Sequence, residues 1–388
     1  MKIKPSNRIN NLGSYAFADV DIEVEKLKKQ GIKPIDFGVG DPTVPTPELI
    51  RNAAKESINK HKDTGYPSYI GSLTFRQSVT DWIKKRFNVS LDPNKEIVSN
   101  IGSKEAVFNF PEAFVNQGDY VLVPNPGYPP YERGTTFAEG KVHYLNLLEE
   151  NNFFPDLSAI PQEIVKKSKI LWINYPNSPT GKLATADFFK EVIDFGHDNN
   201  IIIASDEAYT EIYYDEKPKS ILEFSREGVV VINSLSKRSA MTGWRVGWIA
   251  GDENIINVLN KLKTNVDSGT PNFVQEAAIA AYSDENHVEV MREEYKKKRD
   301  IIVDAFKTIG LPDCTPESTI YVWQRVNQDS VEFAKKLLHK DIGIVTTPGN
   351  WISSTSEEIN PGDGYVRLAL VPSIEDCKRA AEQIKELK

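Results

Sequence analysis

Ile201-Ile202-Ile203-Ala204-Ser205-Asp206-Glu207-Ala208-Tyr209 is an apolar, β-branched run that stops on two carboxylates and a tyrosine. A run this short and continuous, with no alternating polar positions, suits a strand buried on both faces of a parallel sheet. Three more runs share the form: Tyr120-Val121-Leu122-Val123, Ile170-Leu171-Trp172-Ile173 and Val229-Val230-Val231-Ile232. Between them lie helical patterns such as Phe188, Phe189, Val192, Ile193 and Gly196 behind Thr185, a residue type that caps helices. Strand and helix in alternation predict an α/β fold, with a large domain over residues 48–285 built on a mostly parallel sheet flanked by helices.

The ends of the runs carry the chemistry. Val121-Leu122-Val123 leads to Pro124-Asn125-Pro126-Gly127-Tyr128, Leu171-Trp172-Ile173 to Asn174-Tyr175-Pro176-Asn177-Ser178-Pro179-Thr180-Gly181, and Val231-Ile232 to Asn233-Ser234-Leu235-Ser236-Lys237. Polar, aromatic and ionisable groups thus gather at the carboxyl ends of the strands, the rim where open parallel sheets bind ligands. After Met291 the pattern changes to a long charged helix, then Thr319-Ile320-Tyr321-Val322-Trp323, Ile344-Val345-Thr346-Thr347-Pro348-Gly349-Asn350, Tyr365-Val366-Arg367-Leu368-Ala369 and a closing helix. This predicts a smaller α+β domain over residues 286–388, joined by the N-terminal segment 1–47. Ser373 with Asp376 predicts a capping box, and Ile374, Cys377, Ala381 and Ile384 one apolar face, which makes Cys377 a packing residue. Lys296-Lys297-Lys298-Arg299 behind Glu293 and Glu294 reads as a solvated, self-paired face.

With 388 residues, 40% apolar and 26% charged, the chain can bury a large core without covalent staples. Lys plus Arg number 47 against 55 Asp plus Glu, so the net charge of -8 gives no basic footprint for nucleic acid or anionic lipid, and a small soluble substrate is expected. Cys314 and Cys377 stand in no CxxC or Cys/His grouping and the five histidines form no HExxH, so no disulfide framework or metal site is expected and the reducing cytoplasm fits. Met1-Lys2-Ile3-Lys4-Pro5 turns polar before an export signal can form, and no run nears the ~18 apolar residues of a membrane helix. Gly38-Val39-Gly40-Asp41-Pro42 lacks the third glycine of a dinucleotide fingerprint. Ser234 and Lys237 match the S-x-x-K of penicillin-recognising hydrolases, but no S-D-N or K-T-G follows.

The densest constellation is Ser234-Leu235-Ser236-Lys237-Arg238-Ser239-Ala240-Met241-Thr242-Gly243-Trp244-Arg245-Val246-Gly247-Trp248. A lysine directly after an apolar strand is expected at a buried rim, where desolvation makes its amine a usable nucleophile and base. Ser234, Ser236 and Arg245 add hydroxyls and a guanidinium suited to a phosphate. Such a lysine can hold an aldehyde cofactor as a Schiff base.

The pattern S-x-S-K-x-x-x-M-T-G-W-R-x-G resembles the cofactor-lysine motif of fold-type I, class I/II pyridoxal-phosphate aminotransferases, and the resemblance runs along essentially the whole chain. It implies pyridoxal 5'-phosphate as cofactor, an amino acid and a 2-oxo acid as partners, and a homodimer. Catalysis is implied for Lys237, Asp206 and Tyr209, the D-x-x-Y pair holding the pyridine nitrogen and the phenolic oxygen. A carboxylate at Asp206 keeps the ring protonated and able to withdraw electrons from Cα. Gly102, Ser103 and Lys104 resemble the turn that meets the phosphate at a helix N-terminus, beside Ser234, Ser236 and Arg245. Tyr128 falls where a ring stacks on the cofactor. Tyr66, with Gly71 and Arg76, matches the segment whose tyrosine reaches the neighbouring subunit's phosphate. Asn177 and Ser178 are implied in cofactor binding; in Asn177-Ser178-Pro179, Ser178 stands where the family has asparagine, and its hydroxyl can donate the same hydrogen bond from a shorter arm. On the substrate side the resemblance implies Arg367 for the α-carboxylate, with Gly40, Tyr15 and Ile70.

Gly102 to Ala106, Asn125 to Pro129, Lys263 to Gly269 and Thr347 to Asn350 are most similar to LL-diaminopimelate aminotransferases of lysine synthesis. That group has a glutamate where this chain has Ile70, whereas Glu358 to Gly362 resembles succinyl-diaminopimelate aminotransferases, whose substrate has its distal amine acylated. No arginine lies in Lys261 to Phe273, where aspartate-specific enzymes often place one. A carbon-sulfur lyase with the same cofactor stays open and is distinguished by release of pyruvate and ammonia without an acceptor. A cofactor-sensing module fused to a transcription regulator would carry a basic helix-turn-helix segment, which the sequence lacks.

Overall fold

The computed structural model describes residues 1, 3–10, 12, 18–42, 44–339 and 341–387. Tyr15, assigned above to the substrate side, lies outside the described residues. In chain order the strands are β1 (Ile35–Asp36), β2 (Ile97–Asn100), β3 (Tyr120–Asn125), β4 (Lys141–Asn146), β5 (Ser168–Asn174), β6 (Ile202–Asp206), β7 (Val229–Ser234), β8 (Gly247–Gly251), β9 (Tyr321–Arg325), β10 (Ile344–Val345), β11 (Thr347–Pro348) and β12 (Tyr365–Ala369). The chain divides into two compact units, one of Asp41–Lys296 with Glu317–Thr319, the other of Met1–Gly40, Lys297–Pro316 and Ile320–Lys388.

The first unit holds a seven-stranded sheet in the order β2-β8-β7-β6-β5-β3-β4, in which only the pairings of β8 are antiparallel. All four apolar runs lie in it, at β3, β5, β6 and β7. Their continuity has a direct cause. Leu171, Ile173, Ile203, Val229 and Val231 pack in one core, while Ile170, Trp172, Ala204, Val230 and Ile232 pack in another. Successive side chains leave a strand on opposite faces, so a strand between two cores must be apolar at every position. Helix Ala186–Asn199 starts where expected, Thr185 accepting the Phe188 N–H at 3.1 Å, and buries Phe188, Phe189, Val192, Ile193 and Gly196.

The second unit has the parallel pair β1-β10 and the antiparallel order β11-β12-β9. Ser373 caps the closing helix Ile374–Lys385 by accepting the Asp376 N–H, and the helix buries Cys377, Ala380, Ala381 and Ile384. The reciprocal half of the box differs from expectation: the Asp376 carboxylate takes its bond from the Ser373 hydroxyl at 3.0 Å, because aspartate is one methylene too short to reach the backbone. The basic run also departs from its reading as a solvated face. Lys298 is 1% and Arg299 6% exposed. Arg299 donates to Pro316 O at 3.4 Å and pairs with Asp300, and Lys296 pairs with Asp215 at 3.3 Å. In helix Asn286–Thr308 the basic run is thus met partly by residues outside the helix, Asp215 and Pro316, and partly by Asp300 beside it.

Candidate active site

Strand register assembles an anion cradle in the first unit. It sets Ser234 of β7 beside Gly247 of β8, and Gly247 beside Asn100 of β2. Just past Asn100, helix Ser103–Phe114 begins with Gly102 at its N-cap, at φ 75° and ψ 158°. A Cβ built on Gly102 would lie 2.8 Å from Arg245 Cζ, so the guanidinium rests against the end of the helix where backbone N–H groups lack helical partners. Ser234 Oγ lies 2.9 Å from Ser236 Oγ, accepts the Ser236 N–H at 3.1 Å, and so caps the short helix Leu235–Arg238 that carries Lys237. Lys237 is half-buried, short of the fully buried rim its sequence context predicts. Arg245 is exposed and tethered to Thr242 O at 2.7 Å; Ser103 is half-buried and Lys104 exposed. Two hydroxyls, a guanidinium and a helix N-terminus are a donor set that fits a phosphate.

Behind the cradle stands an ion cluster with no obvious sequence signal. Lys263, buried, reaches Asp267 at 2.6 Å and Glu105 at 3.3 Å, while Glu105 accepts the Ile101 N–H at 3.1 Å. The Lys263-to-Gly269 stretch therefore braces the loop that leads into Gly102.

At the neighbouring strand ends, Asp206 of β6 pairs in register with Asn174 of β5. Asp206 is 5% exposed; its Oδ2 accepts the Tyr131 hydroxyl at 2.7 Å and its Oδ1 the Ala208 N–H at 3.2 Å. Burial pushes its carboxyl up to about 6, held back by these two hydrogen bonds. Tyr131 was absent from the sequence reading, although its place three residues after Tyr128, on one helical face, was a usable signal. Tyr128 and Tyr131 form a T-shaped ring pair at 5.8 Å, and Tyr209 is half-buried in the turn after β6. Asn174 Nδ2 donates to Asp206 O at 2.8 Å, and its Oδ1 accepts the Ser178 N–H at 2.9 Å. Asn177 is buried, with its amide engaged by Asn174 O, the Thr180 N–H and the Thr180 hydroxyl. It shapes the loop, and Ser178 is the half-buried residue of the two.

Tyr66 is 87% exposed. Arg76 is buried and donates to the carbonyls of Gly71 and Pro93, so it maintains the segment's shape. Gly71, at φ 88°, has no room for a side chain, since a Cβ would meet Ser99 Cβ at 2.8 Å. Ile70 is half-buried and packs against the cluster that includes Val98 and Ile255. One arrangement resembles a hydrolytic triad: Ser239 Oγ lies 2.9 Å from His287 Nε2, whose Nδ1 lies 3.5 Å from Asp284. Ser239 is fully buried, which leaves no path for a substrate. Among the described residues no cluster of His, Cys, Asp or Glu could hold a metal ion, and no helix is long and apolar enough to cross a membrane.

In the second unit Arg367 projects from β12. Its Nη2 donates to Gly38 O at 2.9 Å and approaches Thr347 Oγ1 at 3.4 Å, and its guanidinium lies 4.8 Å over the Tyr321 ring. Its Nε is buried with no hydrogen-bond partner, a donor of the kind that a carboxylate satisfies. Gly40 is required beside it, because a Cβ there would come within 2.7 Å of Tyr321 Cζ.

The family model "Aminotransferase class I and II" matches residues 32–384. An LL-diaminopimelate aminotransferase of Aquifex aeolicus is 44% identical over 99% of both chains, and one of Maridesulfovibrio salexigens 43% identical over 100% of both. An aminotransferase crystal structure from Neisseria meningitidis superposes with a TM-score of 0.92 at 33% identity, covering 98% of this chain and 99% of that one. The phosphate-fitting cradle, the lysine beside it, the buried aspartate and a match that spans nearly the whole sequence agree: this chain is an enzyme of the pyridoxal-phosphate-dependent class I and II aminotransferase family.

Proposed function

We propose that the enzyme moves the amino group of LL-diaminopimelate, free or N-succinylated at its distal amine, to 2-oxoglutarate in lysine biosynthesis. The observation that carries the donor is full-length identity of 43% and 44% to relatives named for LL-diaminopimelate. Ile70 keeps the acylated form in the proposal, because an apolar side chain cannot pair an ammonium group and an unpaired charge in a closed site is costly.

Pyridoxal phosphate, when bound, supplies an electron-poor ring that stabilises negative charge at the donor Cα. Ser234, Ser236, Arg245, Gly102, Ser103 and Lys104 bind its phosphate. Asp206 holds a proton at the ring nitrogen, Tyr209 and the Ser178 hydroxyl donate to the phenolic oxygen, and Tyr128 stacks on the ring. Lys237 Nζ would hold the cofactor through its aldehyde group and would take the donor's Cα proton as general base. Arg367, with Gly40 and Tyr15, takes the α-carboxylate in a two-pronged charge-assisted bond. Exposed Tyr66 reaches the phosphate of a second copy, so the active form is a homodimer. The two thiols, Cys314 and Cys377, suit a reducing cytoplasm.

A donor screen tests this: LL-diaminopimelate, its N-succinyl derivative and aspartate, each with 2-oxoglutarate, following glutamate formation. One of the diaminopimelate forms should lead in kcat/KM. Aspartate roughly tenfold above both, a gap of about 1.4 kcal/mol in transition-state binding, would overturn the donor assignment. Pyruvate and ammonia released without an acceptor would make the enzyme a lyase.

A further inference from the structure

Tyr131 lies inside the first unit, on helix Pro129–Phe137, and is fully buried. Three contacts fix it. Its ring stacks on Trp172 of β5 at 4.8 Å and 22°, forms a T-shaped pair with Tyr128 at 5.8 Å and 81°, and its hydroxyl donates to Asp206 Oδ2 at 2.7 Å. The backbone adds to this, with the Tyr131 N–H donating to Tyr128 O at 3.0 Å and the Thr135 hydroxyl to Tyr131 O at 2.7 Å. One side chain thus touches both the residue placed under the cofactor ring and the carboxylate placed at its nitrogen.

We propose that Tyr131 is a positioning residue, whose buried hydroxyl aims the Asp206 carboxylate and whose ring sets the tilt of Tyr128. The inference rests on the cofactor placement proposed above. A buried carboxylate left with one backbone donor is free to rotate and to take up a proton, and an acid in place of a carboxylate no longer holds the ring nitrogen charged. Tyr131 donates to Asp206, and the Tyr131 phenol itself feels Asp206, Tyr128 at the N-cap of the same helix and Tyr209 in the turn after β6. Glu207, the residue after β6, bonds instead to Ser205 Oγ and the Ile221 N–H. Burial and then the Asp206 charge push the Tyr131 phenol well above its ordinary range, so it remains a donor wherever Asp206 is ionised.

The test compares Tyr131→Phe, which keeps the ring and its stacking, with Tyr131→His, which restores a ring N–H donor. Apo-protein is titrated with pyridoxal phosphate over a range of pH, alongside kcat, KM and the thermal midpoint. The Phe variant is expected to bind pyridoxal phosphate about tenfold more weakly, to lose affinity at a pH about one unit higher on the acid side, and to lose kcat with little change in KM. The His variant should recover most of this. A Phe variant within about twofold of wild type in affinity and kcat at every pH overturns the proposal, as does equal impairment of both variants, which would mark packing alone. If the Phe variant does not fold, the His variant decides: near-wild-type affinity supports the proposal, and a loss equal to that of Asp206→Asn overturns it. Wild-type protein that fails to bind pyridoxal phosphate would sink the functional reading instead.

Discussion

Replacing Gly102 with alanine isolates the cradle's geometry from its chemistry. The residue sits at φ 75° and ψ 158°, a region that is essentially glycine-only and costs another residue about 1 to 3 kcal/mol. The new Cβ would lie 2.8 Å from Arg245 Cζ, where carbon atoms ordinarily stay about 3.5 Å or more apart, so the guanidinium must retreat by roughly 1 Å. Arg245 is an exposed side chain and can move at little cost to the fold. The two effects therefore separate. Backbone strain lowers the stability of the apo-protein by about 1 to 3 kcal/mol. Displacement of the guanidinium weakens a charge-assisted bond to phosphate worth about 1.5 to 3 kcal/mol, a rise of roughly 10- to 100-fold in the Kd for pyridoxal phosphate. Urea unfolding of apo-protein reads the first, and a spectroscopic cofactor titration reads the second. Gly65→Ala is the control, since nothing lies within 4 Å of a Cβ there. Gly102→Ala protein as stable as that control, with wild-type cofactor affinity, would refute the reasoning.

Lys237→Ala should abolish both turnover and the visible band of protein-bound cofactor; persistent turnover would end the assignment of Lys237 as anchor and base. Arg367→Ala should leave that band intact while kcat/KM for every α-amino acid falls by about 2 to 5 kcal/mol, and a parallel loss of cofactor affinity would show the role to be different. Glu207 is buried, and burial raises its carboxyl to about 7 from 4.5. Between those values the folded protein keeps a proton that the unfolded chain has released, so stability falls as pH rises through that window. Glu207→Gln should remove this slope and gain up to about 3 kcal/mol above it, with little change at acid pH, as read by unfolding of apo-protein across pH. Ile70→Glu should shift preference toward free LL-diaminopimelate over the N-succinyl form by roughly tenfold in kcat/KM, as ion pairing of a partly buried charge provides; an unchanged ratio would remove Ile70 from the specificity argument.

The sheet, its buried strands and the cofactor motif were legible in the sequence because each is a local property. An apolar run between two cores has to be continuous, a helix cap is read within three residues, and Ser234, Ser236, Lys237 and Arg245 lie on one short stretch that the strand end and its turn keep together. Other features were settled by partners far along the chain. Lys298 and Arg299 read as a solvated pair set because only intrahelical neighbours are visible in sequence, while the folded helix buries both. Asn177 and Arg76 carry functional-motif spacing, and in the fold each donates to a backbone carbonyl nearby in the chain, Asn174 O and Gly71 O. The Lys263 cluster and the bond from Tyr131 to Asp206 join residues 158 and 75 positions apart, brought together only when strand register brings the ends of the sheet into line. Local periodicity reports which face of an element is buried; which distant group meets a polar atom on that face is decided by tertiary packing, because a buried donor takes whichever acceptor the fold places within reach.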